Sequence, residues 1–156
     1  MRLTSKSPDD TINIGKAIAK FLKPADIICL FGEFGSGKTV LTKGLGLGLG
    51  IKSATINSPS FVLIRQYAQG RLPLYHLDLY RLGELSDIMD LGYQEYCDAQ
   101  GIVVIEWAQR LKYLIPKEFL KIELFIRSDK QRLLKFSAFG SRYKELLEDI
   151  REDIRH

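Results

Sequence analysis

Residues 32–39, GEFGSGKT, constrain the fold of this chain more than any other part of the sequence. They match the phosphate-binding pattern G-x-x-x-x-G-K-[ST] at every fixed position. The apolar run IICLF precedes them, and a segment of helical length, residues 38–49, follows them. The pattern indicates a phosphate-binding loop when a strand precedes it and a helix follows it. This context therefore favours a phosphate-binding loop over a glycine-rich turn that matches by chance.

The residue types of this loop suit the binding of nucleotide phosphates. Glycines allow successive backbone N–H groups to turn towards phosphate oxygens, and the following helix directs its positive end at the same place. Lys38 supplies a full positive charge for the β- and γ-phosphates, and the hydroxyl of Thr39 suits a magnesium ion. We therefore predict that the loop binds a nucleotide together with Mg²⁺.

The helix after the loop has an unusual composition, because leucine alternates with four glycines, Gly44, Gly46, Gly48 and Gly50. A glycine inside a helix costs about 1 kcal/mol relative to alanine, and the alternation alone also fits a strand. We predict a helix because a phosphate loop opens into one, with Leu41, Leu45 and Leu49 as its buried stripe. Gly50 is expected to cap it. The other glycines either allow close packing on the sheet or weaken the last turns.

The remaining segments predict helices and strands in alternation. Residues 9–22 have the apolar spacing of a helix, with Asp9 or Asp10 as its cap, and residues from about 141 to 156 form a second amphipathic helix. FVLIRQY with LPLYHLDLYRL, and FLKIELFIR with RLLKFSAFG, read as antiparallel strand pairs, and GIVVIEW reads as a buried strand. We predict one domain, residues 1–156, with an α/β layer architecture.

Two acidic residues are candidates for the chemistry. Glu106 ends the apolar strand IVVIE, where ligands gather in α/β sheets, and we interpret it as the second magnesium group. Asp78 lies among apolar residues in YHLDLYRL and therefore requires a partner or a role. It either pairs with Arg65 or Arg81 or orients water near the γ-phosphate.

Composition and missing motifs narrow the class of protein. A net charge of +4, from 23 basic and 19 acidic residues, is too small to predict nucleic-acid binding by itself. The sequence contains no apolar run of membrane-spanning length, no signal-peptide core and no cysteine pair with metal spacing, so we expect a cytoplasmic protein without membrane association. It has no N/T-K-x-D guanine motif and no arginine-rich kinase lid.

Four blocks in order, GEFGSGKT, SPSF, YHLDLYRL and VVIEW, resemble the TsaE family of bacterial ATPases across residues 5–140. The resemblance implies a three-layer P-loop NTPase sandwich with a mixed parallel and antiparallel sheet. It implies slow ATP hydrolysis with Mg²⁺, and action with TsaD and TsaB, which modify the adenosine at position 37 of tRNA with a threonylcarbamoyl group. Contact with tRNA would then be indirect, through that complex.

The resemblance also assigns residues. It implies catalytic roles for Lys38, Asp78 and Glu106, magnesium binding by Thr39 and Glu106, and a switch-like role for SPSF. It places Thr11 before the first helix. The residues implied to hold the nucleotide are Thr11, Glu33, Phe34, Gly35, Ser36, Gly37, Lys38, Thr39, Val40 and Arg132. Two alternatives stay open: a P-loop kinase for a small metabolite, and a nucleotide-dependent binding module without useful turnover.

Overall fold

A seven-stranded sheet with helices on both faces organises the protein, described here from a computed structural model for residues 1–52, 56 and 63–156. The strands are β1 (Arg2–Ser5), β2 (Ile27–Phe31), β3 (Ile64–Tyr67), β4 (Leu74–Asp78), β5 (Ile102–Glu106), β6 (Phe119–Ile126) and β7 (Arg132–Phe139). The helices are α1 (Pro8–Ala19), α2 (Lys38–Gly48), α3 (Leu85–Asp90), α4 (Tyr93–Cys97) and α5 (Ser141–Arg155), with a 3₁₀ segment, Ala108–Leu114.

The strand order is β1-β7-β6-β2-β5-β4-β3. The four inner strands β6, β2, β5 and β4 run parallel, whereas β1, β7 and β3 pair antiparallel with their neighbours. The predicted mixed sheet and both predicted antiparallel pairs are confirmed. Because β2, β5 and β4 are parallel neighbours, their carboxyl ends lie side by side at one edge of the sheet.

The two faces of the sheet carry separate apolar cores, which explains the continuous apolar runs of the inner strands. In β2, Ile28 and Leu30 pack with α1, α2 and α5, while Ile27 and Cys29 pack with α3, α4 and the 3₁₀ segment. When both faces of a strand are covered, side chains on both faces are buried, so apolar residues do not alternate with polar ones along the strand. The predicted three-layer architecture is confirmed.

The glycines of α2 serve the contact between two helices. A Cβ atom on Gly44 would overlap the backbone carbonyl of Ile12 in α1, and one on Gly48 would lie 2.9 Å from Cα of Lys16. Gly15 in α1 is equally close, since its Cβ would lie 2.7 Å from the carbonyl oxygen of Leu41. The run LGLGLG therefore lets the backbones of α1 and α2 approach each other, a contact that neither of the two expectations for these glycines included.

Helix α2 ends as the sequence predicts. Gly50 has φ +90°, the left-handed conformation that glycine adopts at least cost. Its N–H donates to the carbonyl of Leu47 (3.0 Å), and the N–H of Ile51 donates to that of Gly46 (2.9 Å). This pair of bonds is the Schellman pattern, which satisfies carbonyls left open at a helix end.

The first helix and the first strand differ from expectation. Ser7 caps α1, because its Oγ accepts a hydrogen bond from the N–H of Asp10 (3.1 Å), so the prediction of Asp9 or Asp10 as the cap was wrong. Strand β1 was not predicted, because RLTS contains a single hydrophobic residue, Leu3, and therefore no apolar run. None of the helices in the described residues is long and apolar enough to cross a bilayer.

The predicted C-terminal helix is α5, and its apolar side packs into the core through Tyr143, Leu146, Leu147 and Ile150. Arg142 binds the buried carboxylate of Asp26 with two hydrogen bonds, of 2.9 and 2.6 Å. The N–H of Ile27 donates to the hydroxyl of Tyr143 (2.8 Å). Helix α5 is thus fastened to the beginning of β2, the strand that leads to the phosphate loop.

Candidate functional site

The phosphate loop connects the carboxyl end of β2 to the first turn of α2. Gly35 (φ 78°) and Gly37 (φ 100°) adopt left-handed backbone conformations, which explains why both positions are glycine, Gly37 at a fixed position of the motif and Gly35 at a variable one. Gly37 is also the N-cap residue of α2, so the positive end of the helix faces the loop. Ser36 between them is fully buried.

Lys38 lies with its ammonium group inside the curve of this loop. Its Nζ donates to the carbonyl oxygens of Gly32 and Glu33, both at 2.8 Å, and lies 4.1 Å from the ring centre of Trp107. Burial lowers the pKa of Lys38, and the carboxylates of Glu106 and Asp78 oppose that shift. The site thus contains a partly desolvated cation at the place where the motif requires one.

Glu106 ends β5 beside the loop, and only 2% of it is exposed. Its Oε2 accepts a hydrogen bond from the hydroxyl of Thr39 at 3.0 Å. Its Oε1 lies 3.2 Å from the hydroxyl of Thr42 and 2.7 Å from Nε2 of His76. The two residues predicted to hold magnesium are therefore in direct contact.

Asp78 ends β4 and is paired in the sheet register with Glu106. Its Oδ1 accepts a hydrogen bond from the backbone N–H of Tyr80 at 3.0 Å. Burial raises the pKa of Asp78, and the nearby Glu106 carboxylate raises it further against that hydrogen bond. Two carboxylates with different environments thus lie next to each other at the carboxyl edge of the sheet.

These residues border a cavity of about 520 Å³. Three aromatic rings lie at the cavity, with Tyr80 4.9 Å from Trp107 and 6.3 Å from Phe34, measured between ring centres. Phe34 is 80% exposed. The residues that line the cavity are Phe34, Gly35, Gly37, Lys38, Thr39, Val40, Leu63, Asp78, Tyr80, Arg81, Glu106 and Trp107.

The two most distant nucleotide residues implied by the resemblance have different positions. Arg132, at the start of β7, donates from Nη2 to the carbonyl of Gly35 at 3.1 Å and so contacts the phosphate loop. Thr11 lies inside α1, not before it, and its hydroxyl is 2.6 Å from that of Ser5. Thr11 is buried and does not line the cavity, so a role in holding a nucleotide stays a prediction.

Thr42 was not predicted for the site, and the contact of His76 with Glu106 was also missed. A helical repeat could have indicated Thr42, because it lies three residues after Thr39 and therefore on the same face of α2. Strand alternation does place His76 on the face of Asp78, but no local pattern connects it to a residue 30 positions later. The segment SPSF, residues 58–61, lies outside the described residues.

The arrangement of donors fits a magnesium ion that is bound together with phosphates. Thr39 and Glu106 offer only oxygen atoms, which Mg²⁺ prefers. Within residues 1–52, 56 and 63–156, no three His, Cys, Asp or Glu side chains form a metal cluster. A Mg²⁺ held by one or two protein ligands, with phosphate and water completing its shell, requires no such cluster.

A phosphate loop after a central parallel strand, with an acidic residue ending the neighbouring strand, defines the class of P-loop α/β proteins. Within this class, the chain belongs to the TsaE family. The family described as "Threonylcarbamoyl adenosine biosynthesis protein TsaE" matches residues 5–134.

Individual relatives agree with this assignment. The chain is 42% identical to the tRNA threonylcarbamoyladenosine biosynthesis protein TsaE of Bacillus subtilis over 144 residues, 92% of this chain and 89% of the relative. It is 41% identical to the protein of the same name from Treponema pallidum over 132 residues, 85% of this chain and 96% of the relative. The crystal structure of YdiB from Bacillus subtilis superposes with a TM-score of 0.85 at 36% identity, covering 97% of this chain and 94% of that one.

Proposed function

We propose that the protein binds ATP with Mg²⁺, hydrolyses the ATP slowly, and acts in the cytoplasm in the synthesis of threonylcarbamoyladenosine at position 37 of tRNA. Two relatives that resemble the chain over most of its length carry that biosynthesis in their names. The sequence resemblance further implies TsaD and TsaB as partners, whose activity the ATPase supports. Contact with tRNA is proposed to be indirect, through these partners.

The proposed mechanism divides the work among four side chains. Loop N–H groups and Lys38 hold the phosphates, and Thr39 with Glu106 would hold Mg²⁺. A bound Mg²⁺ would neutralise charge on the phosphate oxygens. Asp78 orients the attacking water, since an acidic residue near the γ-phosphate can accept its hydrogen bond.

One observation carries the proposal: Thr39, Glu106 and Asp78 converge at the carboxyl edge next to the phosphate loop. Thr39 and Glu106 are in contact at 3.0 Å, and Asp78 is the register partner of Glu106. A loop that only recognised phosphate would not need two carboxylates close to it, because like charges repel the ligand. A metal between phosphate and carboxylate removes this conflict.

Product analysis distinguishes hydrolysis from the kinase alternative. ATP labelled at the γ-phosphate is incubated with the protein and Mg²⁺, with and without an extract of small metabolites from which proteins have been removed. The proposal predicts that the label appears as inorganic phosphate at the same slow rate in both reactions. Label transferred to a metabolite would contradict hydrolysis as the function and support a kinase.

A further inference from the structure

We propose that His76 is a positioning residue for Glu106, which fixes the carboxylate so that one oxygen faces Thr39 and the magnesium site. This inference rests on the proposed function, because it concerns how the chain prepares Glu106 for the metal. His76 is fully buried and is not among the residues that line the cavity. It therefore acts through Glu106 and not on the nucleotide.

The direction of the hydrogen bond follows from the chemistry of the pair. Nε2 of His76 lies 2.7 Å from Oε1 of Glu106, and a carboxylate oxygen accepts hydrogen bonds but donates none. Nε2 therefore carries the proton. The other ring nitrogen, Nδ1, is buried without a hydrogen-bond partner among the residues that the structure describes. Among the described residues, the hydrogen bond with Glu106 is thus the one that the His76 ring makes.

The second donor near Oε1 is weaker. The hydroxyl of Thr42 lies 3.2 Å from Oε1, but it also lies 2.9 Å from the carbonyl oxygen of Lys38. A hydroxyl has one proton, so these two acceptors share it. His76 serves Oε1 alone and at a shorter distance. The orientation of the carboxylate consequently depends more on His76 than on Thr42.

The two oxygens of Glu106 then have separate tasks. Oε1 is bound to His76 on the side of the core, and Oε2 faces the hydroxyl of Thr39 at 3.0 Å. Without the histidine, a carboxylate that is 98% removed from solvent would lack its strongest donor and would turn to find another. Strand β4 therefore supplies two parts of the site, Asp78 at its end and, two residues earlier, the group that holds Glu106.

Groups that hydrogen-bond a metal ligand typically change metal affinity or activity 10- to 100-fold when they are removed. The test compares His76→Leu, which removes the donor, with His76→Gln, whose side-chain amide can place an N–H near the position of Nε2. The measurement is calorimetric binding of a non-hydrolysable ATP analogue with Mg²⁺ and with a chelator. The ratio of the two affinities reports how strongly the metal supports nucleotide binding, and it does not depend on turnover.

We expect His76→Leu to lower this ratio roughly 10- to 100-fold while affinity in the chelator stays within a few fold of the wild type. His76→Gln should restore most of the ratio. Tyr143→Phe is the matched control, because it removes the hydroxyl that accepts another buried hydrogen bond, from the N–H of Ile27. This bond lies at the start of β2, at the other end of the strand from the phosphate loop. The Tyr143→Phe substitution should lower the melting temperature and leave the ratio unchanged.

The outcomes separate this inference from the proposed function. A ratio that is unchanged in His76→Leu, in a protein whose wild type binds the nucleotide with Mg²⁺, overturns the inference alone. Equal losses in the leucine and glutamine variants also overturn it, because packing and not the hydrogen bond would then be responsible. A wild type that shows no magnesium-dependent nucleotide binding overturns both.

Discussion

Lys38 and Asp78 both line the cavity, and the proposed mechanism gives them different tasks. Lys38→Ala removes the cation that faces the phosphates, so we expect ATP affinity to fall at least tenfold. Asp78→Ala removes the group that orients water, so we expect turnover to fall 100-fold or more, by analogy with positioned catalytic bases, while affinity changes little. Equilibrium binding and steady-state turnover check both variants.

The control for the lysine variant is Lys43→Ala, on the same helix but outside the cavity lining, which should bind ATP like the wild type. Retained turnover in Asp78→Ala would refute its assignment. Equal loss of binding in both aspartate and lysine variants would show that Asp78 shapes the phosphate site and does not orient water.

The shifted pKa of Asp78 has a consequence for stability. Burial raises this pKa, so the unfolded chain releases the proton at a lower pH than the folded protein does. The ionised carboxylate therefore destabilises the fold above the raised pKa, and this effect fades as the pH falls towards about 3.9, the value for an unperturbed Asp. Asp78→Asn should thus melt at a higher temperature than the wild type at pH 7.

Thermal unfolding between pH 4 and pH 8, without nucleotide or Mg²⁺, measures this difference. The increase in melting temperature of Asp78→Asn over the wild type should be largest near and above pH 7 and should shrink towards pH 4. Asp129→Asn, an exposed substitution in the turn after β6, provides the control and should show little pH-dependent difference. A gain for Asp78→Asn that is constant with pH would contradict the explanation.

At the scale of elements, the glycine run of α2 allows α1 to pack closely against it. Helix propensity alone predicts that Gly44→Ala stabilises the protein by about 1 kcal/mol. The added Cβ would instead overlap the backbone of Ile12, so we expect a net destabilisation of about 1 to 3 kcal/mol. Denaturant unfolding measures the difference.

Gly83→Ala is the matched control, since a Cβ there meets no atom of the described residues within 4 Å. Its stability should change by less than about 1 kcal/mol. A Gly44→Ala variant more stable than the wild type would show that α1 can move away, and that the glycines are not required for the contact.

The same element shows what the sequence can and cannot predict. The motif at Lys38 and Thr39 required a helix, and the cap at Gly50 followed from local chemistry, so both were predicted correctly. The purpose of Gly44 and Gly48 depends on a helix some 30 residues earlier in the chain, which no local pattern reveals. Strand β1 was missed for the same reason, because it exists through its pairing with β7 and not through its own composition.

At the scale of the whole molecule, α5 connects the end of the chain to the strand that carries the phosphate loop. Arg142→Ala would leave the carboxylate of Asp26, which is 3% exposed, without its charged partner. We expect the free energy of unfolding to fall by roughly 3 kcal/mol. Adding Asp26→Asn to this variant should recover part of the loss, because the uncompensated charge is removed.

Arg151→Ala on the same helix is the control, because its partner Glu148 is not buried: the side chains of Arg151 and Glu148 are 34% and 59% exposed. Its loss should be below about 1 kcal/mol. Equal effects of the two arginine variants, measured by denaturant unfolding, would mean that the Asp26 pair contributes no more than a surface pair.

The arrangement of the site at this scale was predictable in part. Glu106 could be assigned from its position at the end of an apolar strand, and Asp78 as an acidic residue among apolar neighbours. The sheet makes the two residues register partners. The position of β6 beside β2 and the contact of Arg132 with Gly35 depend on the order of the strands in the sheet. No local pattern in the sequence reveals that order.

The measurement that tests the central proposal most directly is ATP turnover by the purified protein with Mg²⁺, alone and with purified TsaB and TsaD. We predict slow release of inorganic phosphate alone, at least a tenfold increase with both partners, and no increase in Asp78→Ala. Turnover that is unaffected by the partners, or stimulation that persists in Asp78→Ala, would contradict the proposal.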